Sequence, residues 1–110
     1  MNAQRAKVFL ALGDVYQKKA SLELARRSYS DAARLFVLQK DAVQEAFARY
    51  KLGLVYIQMN QLGDARREIQ KAVAILVASG RTKDTEPMRQ TLKLLDDIQA
   101  LERSQHNDNN

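Results

Sequence analysis

The sequence has no cysteine, no tryptophan, one proline, one histidine and four glycines, and only 6% of its residues are aromatic. Each scarcity removes a class of protein. Without cysteine there are no disulfides, no thiol nucleophile and no thiolate metal site. The same absence suits a reducing compartment, and a cytoplasmic location is expected. The lone histidine, His106, falls in a polar C-terminal stretch, Ser104 to Asn110, that holds no apolar residue. Neither a Ser-His-Asp triad nor a histidine acid–base pair can be assembled from it. Asp96 and Asp97 are chain neighbours, which a helix points about 100° apart, so they do not oppose each other as a carboxylate pair. No glycine-rich phosphate loop occurs. The expectation is a non-enzyme with no catalytic residues, no cofactor and no metal. No apolar run approaches the ~18 residues of a membrane span, and Met1 to Leu12 is amphipathic rather than basic-then-apolar like a secretory signal. A membrane is therefore not an expected partner.

What remains favours helix. At 110 residues the chain is one domain's worth, and its 45% apolar content comes mostly from residues that suit helices. Few glycines and a single proline argue against a sandwich or barrel, which needs frequent turns. The net charge of +5 is uneven: residues 1–40 carry eight Lys/Arg against three Asp/Glu, residues 41–80 five against four, and residues 81–110 five against six. A basic first third can attract an acidic partner.

The strongest pattern is internal. Leu12-Gly13-Asp14-Val15-Tyr16 returns as Leu52-Gly53-Leu54-Val55-Tyr56, a spacing of 40 residues, and eleven pairs coincide at that offset between Ala6 and Val37. Among them are Gly13/Gly53, Ala25/Ala65, Arg26/Arg66, Arg27/Arg67, Ala32/Ala72 and Val37/Val77. A period of this length marks stacked helical units. Glycine costs a helix about 1 kcal/mol against alanine, so two glycines in phase point to places where helices press together.

Apolar spacing of i, i+3, i+4, i+7 predicts a first helix over Arg5–Lys19, with Val8, Phe9, Leu12, Val15 and Tyr16 inward. Ser21 is the expected cap of a second helix, Leu22–Gln39, burying Leu22, Ala25, Tyr29, Ala32, Ala33, Phe36 and Val37. Asp41 is expected to cap a third, Ala42–Met59, which is apolar on two sides and so should be central. The fourth, Leu62–Ala78, buries Leu62, Ala65, Ile69, Ala72, Val73, Leu76 and Val77. Gly80 is placed to end it in the left-handed conformation. Asp84 or Thr85 then caps a fifth helix that carries Met88, Leu92, Leu94, Leu95, Ile98 and Leu101, with Pro87 in its first turn. The expected domain is 1–103, with repeat one over 6–40, repeat two over 42–79 and a final helix over 85–103. A disordered tail, 104–110, is expected to follow.

These units resemble the tetratricopeptide repeat. Phe9, Leu12, Gly13, Tyr16, Ala25, Tyr29 and Ala32 match that family's pattern in the first unit. Leu52, Gly53, Tyr56, Ala65, Ile69 and Ala72 match it in the second. Arg49 stands where an aromatic is usual, and the repeat is longer than the family's usual ~34 residues, as in its long-period branch. The resemblance implies an all-α solenoid of two helical hairpins closed by a capping helix. The polar fifth helix reads as a natural C-terminal cap. The N-terminal face, lacking one, implies either a longer array or a surface that meets another molecule.

The resemblance also implies a function. First helices of such units line a concave groove that holds a peptide or a partner helix. By position that groove comprises Lys7, Leu10, Asp14 and Gln17, then Phe47, Tyr50, Lys51, Leu54 and Ile57, then Gln90 and Leu94. The expected protein is a protein–protein interaction scaffold, or adaptor, with self-association a further expectation. A carboxylate clamp for a C-terminal peptide is not expected, because Asp14 would repel the ligand. The rival reading is a binder of nucleic acid or another acidic surface through Arg26, Arg27, Arg66 and Arg67. No aromatics interleave with these arginines, which disfavours nucleic acid. A spacer within a longer array is the third reading.

Overall fold

Four helices of equal length begin at twenty-residue intervals: α1 (Asn2–Lys18), α2 (Leu22–Leu38), α3 (Ala42–Gln58) and α4 (Leu62–Ala78). A longer α5 (Glu86–Asp108) follows. The computed structural model describes residues 2–81 and 85–108, and no strand occurs among them. The fold is all-α.

The regular interval has a backbone cause. Ala20, Lys40, Asn60 and Gly80 all adopt positive φ, between 57° and 81°. At each, the residue after it donates its N–H to the carbonyl five positions back: Ser21 to Tyr16, Asp41 to Phe36, Gln61 to Tyr56 and Arg81 to Leu76. The positive-φ residue itself bonds three positions back, as Ala20 does to Gln17. This is the Schellman ending, which satisfies the orphan carbonyls of a helix C-terminus. Gly80 enters it freely, as the sequence predicts. Ala20 and Lys40 carry a Cβ in the left-handed region and bear a strain of about 1–2 kcal/mol each. The repetition of one turn makes the connection within a hairpin the same as the connection between hairpins.

The start signals are less uniform. Asp41 caps α3, accepting from the Gln44 N–H at 3.3 Å. Ser21 makes no such bond to α2, contrary to expectation. Its ψ of 72°, like the 83° of Asp41, lies away from the fully extended backbone that usual caps adopt. The longer aspartate spans the gap and the serine hydroxyl does not. Thr85 stands before α5, its carbonyl accepting from Arg89; Asp84 lies outside the described residues.

Each helix packs against the next, α1 on α2, α2 on α3, α3 on α4 and α4 on α5, forming a slab 51 × 34 × 18 Å. Inside each hairpin the glycine decides the fit. A Cβ on Gly13 would lie 2.4 Å from the Tyr29 ring, and one on Gly53 would lie 2.5 Å from Ile69 Cδ1. Tyr29 and Ile69 are themselves one repeat apart, so the same knob enters the same glycine gap twice. Between hairpins, Ala33 and Phe36 pack with Ala48, and Ala25 and Tyr29 with Leu52 and Val55. The junction to α5 repeats that plan, with Ala72 and Leu76 against Met88, and Ala65 and Ile69 against Ile98. The central role of α3 holds: it meets α2, α4 and α5.

Three further expectations fail. Val8, Leu12 and Val15 are not core but 56%, 38% and 46% exposed. Their equivalents one repeat later, Ala48, Leu52 and Val55, are buried because α2 covers them; the helical period marks an apolar face without supplying its cover. Val37, Val77 and Leu101 are exposed as well, the two valines lying at the last turn of their helices. Finally, residues 104–108 continue α5 rather than forming a disordered tail, and the rest of the expected tail, 109–110, lies outside the described residues. Glu102 accepts from Arg66 at 3.1 Å and Gln105 donates to Asn60 at 2.8 Å, so contacts with α4 and the α3–α4 turn hold a segment with no apolar residue.

Candidate peptide-binding face

The residues expected to line a groove share one side of the three odd-numbered helices. Along α1, Leu10, Asp14 and Gln17 follow one helical line; along α3, Phe47, Tyr50, Leu54 and Ile57 do the same. Two side-chain contacts stitch these lines together. Lys51 donates to Asp14 at 2.7 Å and Gln17 donates to Gln58 at 2.7 Å. On the other flank Tyr50, Ile57 and Leu94 join the same cluster around Ile98, which brings α5 alongside α3.

Their exposures divide the set. Leu10 packs between α1, α2 and α3 and serves the core. Tyr50, Ile57 and Leu94 are half-buried in the α3–α5 seam. Leu54 is half-buried but joins none of the core clusters, and Phe47 is 44% exposed. Lys7 and Gln90 are exposed, Gln90 donating to Glu86 at 3.1 Å.

The polar members form one connected group. Asp14 accepts from Lys51 and, at 2.5 Å, from the Tyr29 hydroxyl, which also lies 3.1 Å from Gln17 Oε1. Burial pushes the Asp14 carboxyl up, but the hydrogen bonds from Lys51 and Tyr29 and the positive charge of Lys51 outweigh it and hold the group below its ordinary value. Burial and the adjacent carboxylate together drive the Tyr29 phenol far upward. Lys51 also stands 4.9 Å from the Phe47 ring centroid, within cation–π range. Its charge is thus already shared between Asp14 and an aromatic face, and it is poorly placed to clamp a peptide carboxylate.

This network yields a pH expectation. A depressed folded pKa means Asp14 adds stability that is complete above the unfolded value near 3.8 and lost as pH falls through the lower folded value. In an NMR titration Asp14 should ionise below that unfolded value, and Lys51→Met should move its midpoint up. An unshifted midpoint in the variant would remove the charge pair as the cause.

The apolar members frame a cavity of about 300 Å³ between the starts of α3 and α5, lined by Val43, Ala46, Phe47, Tyr50, Leu76 and Pro87 together with the polar Gln44, Glu86, Gln90 and Thr91. Thr91 is satisfied internally, donating to the Pro87 carbonyl at 2.6 Å. The groove reading misses Val43, Leu76 and Pro87. Val43 continues the Phe47–Tyr50 line by one turn and Pro87 is one repeat from Phe47, so both could have been read from spacing. Leu76 comes from an even-numbered helix and could not.

Three of the four arginines of the stripe are paired within the chain, and the fourth, Arg27, is exposed. Arg26 pairs with Glu23 at 2.5 Å, Arg66 with Glu102 at 3.1 Å, Arg67 with Asp64 and Arg34 with Asp31. Arg49 bonds Glu45 on its own helix at 2.8 Å and Glu68 on α4 at 2.9 Å. Burial lowers its pKa and the two carboxylates more than restore it. An ion-paired bridge to α4 thus stands where the first repeat has the Phe9 ring packing on α2. Among the described residues no group of three His, Asp or Glu side chains could hold a metal ion, and no helix is long and apolar enough to cross a membrane.

Family models, curated proteins and solved structures yield no match to this chain.

Proposed function

We propose that this chain is a non-catalytic protein-interaction module of the tetratricopeptide kind, which holds a peptide or a partner helix along the shared side of α1, α3 and α5. The observation that carries the proposal is the mainly apolar cavity of about 300 Å³ between α3 and α5, whose lining includes the half-exposed Phe47 ring and Tyr50 along with the polar Gln44, Glu86, Gln90 and Thr91. An apolar floor with a few polar groups at its edge is the anatomy of a recognition site. A large apolar side chain of the ligand enters the cavity, and Phe47 and Leu54 continue the contact along α3. Asp14, Lys51 and Gln17 are tied to one another and shape the α1 side more than they attract charge.

The arginine rival is the weaker reading, because Arg26, Arg66 and Arg67 each have a carboxylate partner within the chain, which leaves Arg27 as the one stripe arginine without such a partner among the described residues, and affinity for a polyanion grows with the number of phosphates neutralised.

A pull-down from lysate followed by titration of the captured protein tests the proposal. Phe47→Ala should weaken binding by about 2 kcal/mol, roughly thirtyfold, as the loss of an aromatic anchor does. Tyr50→Ala/Leu54→Ala should weaken it further. Phe47 is outside the core clusters, so its variant should keep the wild-type circular dichroism and melting temperature. Unchanged affinity in both variants, with the fold intact, rejects the groove.

A further inference from the structure

The face of α1 that carries Val8, Leu12 and Val15 is exposed, yet the molecule itself shows what such a face receives. One repeat later the same three positions, Ala48, Leu52 and Val55, are buried under α2. A further repeat on, Met88 and Leu92 are packed in a cluster with Ala72 and Leu76 of α4. Twice, then, an odd-numbered helix offers this stripe to an even-numbered one, and twice the receiving helix has small residues alternating with large ones: Ala25, Tyr29, Ala32 and Phe36 in α2, and Ala65, Ile69, Ala72 and Leu76 in α4. The α1 stripe is a third donor of the same interface.

Charge selects the occupant. The stripe runs i, i+4, i+7 with Arg5 one turn before it and Lys19 one turn after, while Lys7 and Lys18 flank it beside Ala11. All four cations are exposed. The one acid of α1, Asp14, is turned to the other side, where it is bonded to Lys51. On the neighbouring α2, Glu23 and Asp31 are already paired with Arg26 and Arg34. A second copy laid antiparallel on this face would set Arg5 against Lys19 at both ends and is electrostatically disfavoured.

We infer that the Val8–Leu12–Val15 face of α1 is a second docking surface, separate from the α3–α5 cavity, and that its partner is an acidic amphipathic helix of another protein. That helix carries the small–large alternation of α4 on its apolar side and Asp or Glu on its flanks. It lies along α1 as α2 lies along α3, with its carboxylates over Arg5, Lys18 and Lys19.

The test uses the full chain and two synthetic helices of about 20 residues, long enough to hold helix on a docking surface. Both carry Ala, Ile, Ala, Val and Leu at the spacing of Ala65, Ile69, Ala72, Val73 and Leu76; one has glutamates on its flanks and the other lysines. In fluorescence anisotropy the glutamate peptide should bind at least about tenfold more tightly than its twin, with the difference shrinking as salt screens it. Leu12→Ser should lower its affinity about tenfold, as loss of a buried apolar anchor does, and Lys18→Glu/Lys19→Glu should reverse the preference between the peptides. Phe47→Ala should leave binding unchanged, so failure here is distinguishable from failure of the groove. Equal binding of both peptides, or indifference to Leu12→Ser, would overturn the inference. So would a dimer in sedimentation that Leu12→Ser dissolves, because the occupant would then be a second copy.

Discussion

Tyr29→Ala is expected to destabilise the protein by about 3–5 kcal/mol, the usual cost of deleting a buried aromatic side chain. The ring is fully buried, clusters with Ala25, Leu52 and Val55, and so joins α2 to the second hairpin. It also fills the gap above Gly13 in the first hairpin, and its hydroxyl donates to Asp14. Since a domain of this size is stable by about 5–15 kcal/mol in total, a loss of that order should shift urea unfolding visibly. Tyr29→Phe keeps the ring and forfeits only the hydroxyl, while Asp14 retains Lys51; its expected cost is about 1 kcal/mol. The sharper result lies in the double variant. Gly13→Ala alone sets a methyl 2.4 Å from the ring and should destabilise. With Tyr29 already cut to alanine the obstruction is gone, and alanine at position 13 contributes about 1 kcal/mol of helix propensity. The same substitution should therefore change sign between the two backgrounds. Simple additivity across the cycle would show that the ring is not what requires glycine at position 13.

Gly13→Leu and Gly53→Leu should each cost about 1–3 kcal/mol or more through overpacking, net of the small gain in helix propensity. The two sites are not equal. At Gly13 the new Cβ meets a planar ring whose three nearest atoms lie at 2.4–2.8 Å and whose hydroxyl is anchored on Asp14 and Gln17. At Gly53 the close atoms are Cδ1 and Cγ1 of Ile69, an aliphatic chain that can change rotamer. Gly13→Leu should accordingly be the more damaging, and its thermal midpoint the lower. Full tolerance at both sites would contradict hairpins closed by interlocking side chains.

The helices were legible because their ends are written locally. Asp41, Gly80 and Pro87 each act within a turn or two of themselves, and the bounds follow to within a few residues. The two glycines were legible as contacts, since their phase repeats. Their partners were not: Tyr29 and Ile69 occupy the gaps. Sequence spacing says that room exists, and only the approach of two helices says what takes it. The twenty-residue interval escaped for a related reason. Three of its four markers are Ala20, Lys40 and Asn60, and only asparagine among them favours the left-handed region. The last turns of α5 depend on Glu102 reaching Arg66 and Gln105 reaching Asn60, contacts between residues distant in the chain. Of the candidate face, the line Phe47–Tyr50–Leu54 was readable from helical spacing. Its division into packed and open members was not, because burial of Leu10, Ile57 and Leu94 depends on neighbours in other helices.

The four matching Schellman endings have a consequence for how this chain could be lengthened or cut. Because the backbone turns in the same way at the three joints between α1 and α4, it keeps no record of parity there: nothing in those turns distinguishes an odd rod from an even one. That distinction is carried by side chains alone, with glycine on one kind and its intruding tyrosine or isoleucine on the other. Removing one twenty-residue step would preserve every bend while facing knob to knob and gap to gap. Removing two would leave the alternation whole.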